Sequence, residues 1–112
     1  MAVKLLSGTQ HKVDHTPGSA LTAGDVVELG SYAFTVSVDI AAGELGSINA
    51  PSGTATYVAP KATGVGTALS VGDVVYWDGT NAGTTNTDPV LGIVVAAAAD
   101  GDATVNVLHS VA

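Results

Sequence analysis

Several stretches of this chain alternate apolar and polar residues at every second position, and none sustains the 3.6-residue period of an amphipathic helix. In "AFTVSVD", Phe34, Val36 and Val38 fall on one face, with Thr35, Ser37 and Asp39 on the other. In "ATVNVLH", Ala103, Val105 and Val107 oppose Thr104 and Asn106. "GTATYVAP" reads as a third strand, stopped at Pro60 because proline gives no N–H to a ladder. Successive side chains of a strand point to opposite faces, so the pattern describes half-buried strands. The run Ala96–Ala99 is the one stretch that suggests a helix, and four residues cannot carry the nucleation cost alone. It follows Gly92-Ile93-Val94-Val95 and precedes the turn signal Asp100-Gly101-Asp102. It therefore reads as a strand end entering a tight connection, with a single helical turn as the alternative.

The tetrapeptide Gly-Asp-Val-Val occurs twice, at Gly24–Val27 and Gly72–Val75, 48 residues apart, each time with a leucine three before the glycine. Aligning Gly43 with Gly101 gives a spacing of 58, so the second copy carries about ten extra residues, placed in the polar loop "DGTNAGTTNTDP". Two copies are too few for a solenoid and predict two similar β-units in one barrel or sandwich. Within each copy, glycine supplies a positive φ before a strand and aspartate accepts backbone N–H bonds in the turn. The parity of the repeat places Asp25, Val27 and Leu29 on one face, as it does Asp73, Val75 and Trp77. Leu29 and Trp77 are thus expected as matched core anchors, and Glu28 and Tyr76 as outward positions that meet another subunit or a partner.

Composition narrows the function. The chain has 112 residues, ten acids against three lysines (Lys4, Lys12, Lys61), a formal charge of −7 and no cysteine. Three lysines cannot make the basic stripe that nucleic acid or an anionic membrane requires. No apolar run approaches the ~20 residues of a membrane span, and "MAVKLLSGTQHKVDH" lacks the apolar region and cleavage pattern of a secretory signal. The hydrophobic 46% is mostly Ala and Val, with five aromatics. At about 25 cal/mol per Å² such a core is thin, and association would strengthen it.

No stretch carries the signature of catalysis or of a cofactor. The two Gly-Asp pairs lack the Asp-Thr-Gly or Asp-Ser-Gly context of an aspartic dyad. His11 and His15 have a zinc spacing only on a helix, and Pro17-Gly18 follow at once; Asp14 and His109 are the residues that would complete such a site. Gly64-Val65-Gly66 is a poor dinucleotide loop, and Asp100-Gly101-Asp102 lacks the acid spacing of a calcium loop. Asp78-Gly79 after an apolar strand is a hairpin-turn signal. The reading is a non-enzyme with no cofactor and no metal.

One string orders these features: Pro60-Lys61, then Gly72-Asp73-Val74-Val75-Tyr76-Trp77-Asp78, a Thr/Asn-rich loop, Gly92 to Ala97, and Ala103 to Val107. It resembles the capsid cement (decoration) proteins of tailed bacteriophages over nearly the whole chain. "WDGTNAG…GIVVAAAAD" is also similar to the lambda-type head decoration protein, a β-tulip fold. The resemblance implies an all-β, small single-domain β-barrel or sandwich, β-tulip-like, made in the bacterial host cytoplasm and placed on the outer capsid surface of the virion. It implies contact with the major capsid protein, stabilisation of neighbouring capsid subunits, and homo-oligomers, with a trimer ahead of a dimer. Residues 1–20 are expected to form an N-terminal arm or first strand, and 21–112 a single β domain. Val3, Lys4, Leu5 and Leu6 are the candidate capsid-binding residues; adding a strand to a capsid-protein sheet, and pairing within the protein's own barrel or with a sister subunit, are equally open to them. The rival function is a carbohydrate-binding adhesion module, which would use Tyr32, Tyr57 or Tyr76 as sugar platforms.

Overall fold

Ten strands make one continuous, curled sheet in the computed structural model, which describes residues 3–111. They are β1 (Lys4–Gly8), β2 (His11–His15), β3 (Val26–Leu29), β4 (Tyr32–Thr35), β5 (Gly46–Ala50), β6 (Ala55–Pro60), β7 (Val74–Trp77), β8 (Ala82–Gly83), β9 (Val90–Ala96) and β10 (Thr104–His109). The main path runs β1-β6-β10-β9-β4-β5-β2, with β3 attached to β4, β7 to β9 and β8 to β7. The all-β expectation is borne out, in the form of a single curled half-barrel. Ala96–Ala99 continue β9 into a tight turn: Ala98 bridges Leu69, and the Asp102 N–H donates to the Ala99 carbonyl at 3.0 Å.

The sheet divides into two antiparallel units of four strands, β2-β5-β4-β3 and β6-β10-β9-β7. They meet where β4 runs parallel to β9 at Tyr32 and Val90. Their hydrogen bonds repeat almost one for one. Gly24 (φ 96°) donates to the Val36 carbonyl at 2.7 Å, and Gly72 (φ 93°) to that of Val94 at 2.8 Å. The Val36 and Val94 N–H groups return bonds to Asp25 and Asp73 at 3.0 and 2.9 Å. Leu21 pairs with Ile40 as Leu69 pairs with Ala98. Each of these correspondences keeps the spacing of 48 before the inserted loop and 58 after it. The repeat is architectural, and both aspartates close turns: Asp25 Oδ2 accepts the Thr22 N–H at 2.8 Å, and Asp73 Oδ2 the Ser70 N–H at 2.8 Å.

Equivalent positions fill equivalent cores. Val36, Ile40 and Ile48 are buried in the first unit, with Leu21, Val27 and Phe34 packed on them. Val94, Ala98, Leu69 and Val75 take the matching places in the larger second core, alongside Trp77, Leu91, Val105 and Val107. Trp77 is 4% exposed, as parity predicts, but Leu29 is 38% exposed and is no core anchor. The cause is the insertion. After Trp77 the chain makes a hairpin whose Ala82 pairs with Trp77 and is itself buried; after Leu29 it turns back at once through Gly30-Ser31.

The alternation in "AFTVSVD" is also corrected. Ala33 and Thr35 are fully buried, Phe34 is half-buried and Val38 is exposed. β4 sits mid-sheet with both faces covered, one by the first core and the other by the second unit. A period-two pattern cannot rank two buried faces. The strand ends at Thr35, so Val38 lies beyond it.

Candidate functional site

Six of the ten carboxylates are spent on their own backbone. Asp25, Asp73 and Asp102 each accept an N–H from the residue three before. Asp39 accepts from Ala23, Asp78 from Thr80 and Asn81, and Asp100 from Thr67 and Ala68. Asp25, Asp73, Asp78 and Asp102 thus staple their own turns, while Asp39 and Asp100 tie loops that are distant in sequence. His11 and His15 lie at the two ends of one strand, roughly 13 Å apart in extended chain. Asp14 pairs with Ser47, and His109 is on β10. Among the described residues no group of three His, Asp or Glu side chains is arranged to hold a metal.

The buried chemistry lies at the seam between the units. Lys12 Nζ donates to Asn49 Oδ1 at 3.1 Å, Asn49 Nδ2 to Thr35 Oγ1 at 3.0 Å, and the Thr35 hydroxyl to Tyr57 Oη at 2.8 Å. Gln10 Nε2 also donates to Tyr57 Oη, at 2.9 Å. The Tyr57 ring meets His109 edge-on, with centroids 5.4 Å apart. His109 is 1% exposed, and its Nε2–H donates to the Ala33 carbonyl at 2.7 Å, since a carbonyl can only accept. This network fastens β6 and β10 of the second unit to β4 and β5 of the first. It is a structural seam, because its buried groups spend their hydrogen bonds on one another across the two units.

Burial pushes the His109 pKa below its ordinary 6.5, against a smaller upward pull from the Ala33 carbonyl. The unfolded chain therefore takes up a proton near pH 6.5 that the folded chain refuses. The stability involved is fully present above that pH and falls as pH drops toward the folded pKa. Urea midpoints measured at about pH 7.5 and about pH 5.5 should separate for the wild type and draw together in His109→Gln. Equal separation in both proteins would assign the acid sensitivity to other groups.

Lys61, with Thr35, Asn49 and His109, is one of the four buried polar residues among those described. It is 4% exposed, and its Nζ donates to the carbonyls of Ala62 (2.8 Å) and Asp102 (3.1 Å) and to Thr67 Oγ1 (3.2 Å). An ammonium has three protons, and three oxygens take them. Lys61 lines an open cleft of about 200 Å³ beside Asn81 and Thr84, but with its donors spent it offers nothing to an incoming anion. It fixes the 62–67 loop to the turn at Asp102.

What remains for function is surface. Val3 is buried in the main core, and its N–H donates to the Gly24 carbonyl at 3.0 Å. Lys4, Leu5 and Leu6 are exposed, on a strand that among the described residues pairs with β6 and has no strand paired to its other edge. The register steps between Leu5 and Ser7, so Leu6, 54% exposed, is the extra residue of a bulge. Glu28 is exposed on β3, while Tyr76, its equivalent on β7, is half-buried under β8. Of the proposed sugar platforms, Tyr57 is buried at 3% and engaged in the seam, and Tyr32 alone is exposed, at 38%.

Residues 7–109 match the family described as phage cement protein. No curated protein and no solved structure gives a match. The matched span begins in β1 and ends on the last residue of β10, so it takes in both units, the seam and the inserted hairpin. With nearly all of its residues inside that match, the chain belongs to the phage cement protein family.

Proposed function

We propose that this protein binds the outer surface of a phage head and stabilises the contacts between neighbouring major capsid proteins, acting as a homo-oligomer, with a trimer ahead of a dimer. The family is structural and capsid-associated, which supports the role. The observation that carries the surface assignment is β1: a free edge with Lys4, Leu5 and Leu6 all exposed. A free edge can accept a strand from a neighbour, with side chains supplying specificity. Contacts of this kind are weak singly and strong when an oligomer repeats them over a lattice. The same strand pairs with β6 in its own sheet, so it serves both as internal strand and as docking edge. A sugar-binding role is less well supported, since a single exposed tyrosine makes a poor platform.

Deleting residues 2–8 would remove Val3 from the core, so point variants are the cleaner test. Purified protein mixed with undecorated heads should cosediment and raise the temperature at which the heads open. Burying a leucine is worth about 1.5–3 kcal/mol, so Leu6→Asp should weaken binding by about tenfold or more while leaving the melting temperature in place. Unchanged cosedimentation of a well-folded Leu6→Asp would remove β1 from the contact. Failure of the wild type to bind heads would remove the function.

A further inference from the structure

The two units differ most at their edges. On β7 the edge is covered: Tyr76 pairs with Gly83 and Trp77 with Ala82, and Ala82 is 2% exposed. On β3, among the described residues, β4 is the only neighbour, because two turn residues stand where the second unit has twelve, residues 78–89. A two-residue hairpin makes Leu29 and Tyr32 a hydrogen-bonded pair, so the peptide N–H and C=O of Glu28 face away from β4. Leu29 and Tyr32, directly opposite one another and each 38% exposed, extend the half-buried pair Val27 and Phe34 into an open apolar strip. The molecule itself shows what fits such an edge: a short extended segment with small residues.

Charge decides between a second copy and a different partner. The β3–β4 hairpin carries Glu28 and no lysine. Lys4 is on β1, Lys12 is on β2 and bonded to Ser37 and Asn49, and Lys61 is buried. A second copy brings another net −7 to the contact, whereas a cationic strand complements it. We propose that the free edge of β3 receives an extended segment of a partner protein, antiparallel to β3, with Ala or Gly over Leu29 and Lys or Arg beside Glu28. It takes the place on β3 that Ala82–Gly83 takes on β7. That this partner is a capsid protein rests on the head-binding reading; the chemistry of the edge does not.

The test supplies the missing lid in cis, by replacing Gly30-Ser31 with a second copy of residues 78–89. Hydrogen exchange of the wild type should show a fast Glu28 amide in the free protein, slowed by about tenfold or more on heads. The lidded variant should bind heads about tenfold more weakly or worse. Glu28→Pro, which removes the outward N–H together with the carboxylate, should do the same and covers the case in which the graft does not fold. If either folded variant binds as the wild type does, the β3 proposal is overturned and head binding stands. If the wild type does not bind heads, the head-binding reading fails, and the edge is judged by titrating the peptide acetyl-Thr-Lys-Ala-Gly-Thr-amide into isotope-labelled protein. Amide shifts at Glu28 and Leu29 that vanish in Glu28→Pro or the lidded variant support the edge; none at millimolar peptide overturns it. A Glu28 amide already protected in an oligomer of the free chain assigns β3 to contacts between copies and overturns the heterologous partner.

Discussion

Trp77→Ala is expected to cost about 3–5 kcal/mol, the range for removing a buried aromatic from a packed core. A small protein has roughly 5–15 kcal/mol in total, so the variant should be largely unfolded or near its midpoint in mild urea. Trp77 is the largest side chain in a core otherwise made mostly of Val, Ala and Leu, and Ala82 closes over it. Small neighbours on a hydrogen-bonded sheet cannot move in to fill the void. Leu29→Ala at the equivalent position should cost well under half as much, because Leu29 is 38% exposed. Urea unfolding followed by far-UV circular dichroism measures both. Similar losses would mean that the insertion does not create the difference between the two units.

Gly92→Ala should be nearly as damaging, by the opposite mechanism. Gly92 pairs with Val75 on one side and with His109 on the other, so β9 is hemmed in by β7 and β10. A Cβ added there would run into the Leu108 backbone carbonyl and lie 2.9 Å from Val107 Cγ1. A backbone carbonyl in a paired strand cannot yield as a side-chain tip can. Overpacking costs typically 1–3 kcal/mol, and this site should fall at about 3 kcal/mol or beyond. Gly83→Ala on β8 is the control: its added Cβ meets nothing within 4 Å, and its effect should stay within about 0.5 kcal/mol. Equal unfolding midpoints for the two variants would show that β9 and β10 can separate at little cost.

The parts of this fold legible in the sequence are those written in local chemistry. A glycine with positive φ followed by an aspartate that ties back three residues is a complete instruction within six positions, and it appears twice. The spacings of 48 and 58 then locate the inserted hairpin, whose Asp78-Gly79 turn closes with the Asp78 N–H on the Asn81 carbonyl at 3.1 Å. The seam was hidden because its partners are distant. Thr35 meets Tyr57 across 22 residues, and His109 meets Ala33 across 76. Nothing near Thr35 or Asn49 marks them as buried; an alternating pattern assigns such residues to solvent. Leu29 was misplaced for a related reason, since parity gives the face of a side chain but not whether anything covers that face. The candidate contact residues were partly legible: Lys4, Leu5, Leu6 and Glu28 are at the surface, Tyr76 is half covered, and Val3 belongs to the core.

The pairing of β1 with β6 also sets an order of events during synthesis. Lys4 lies opposite Val58, so β1 waits for more than fifty residues after its own synthesis before its partner exists. At about 5–20 residues per second that interval lasts several seconds. β6 in turn is flanked by β10, whose pairing with it ends at His109. The sheet therefore closes only after residue 109 has been made, but Leu5 and Leu6 sit on an unpaired strand only until β6 is available. Long-range closure of this kind is slow. Nascent chains should thus be most prone to misassociate before residue 55 emerges, which makes the N-terminal leucine pair a liability in the making of the protein as well as an asset in its finished surface.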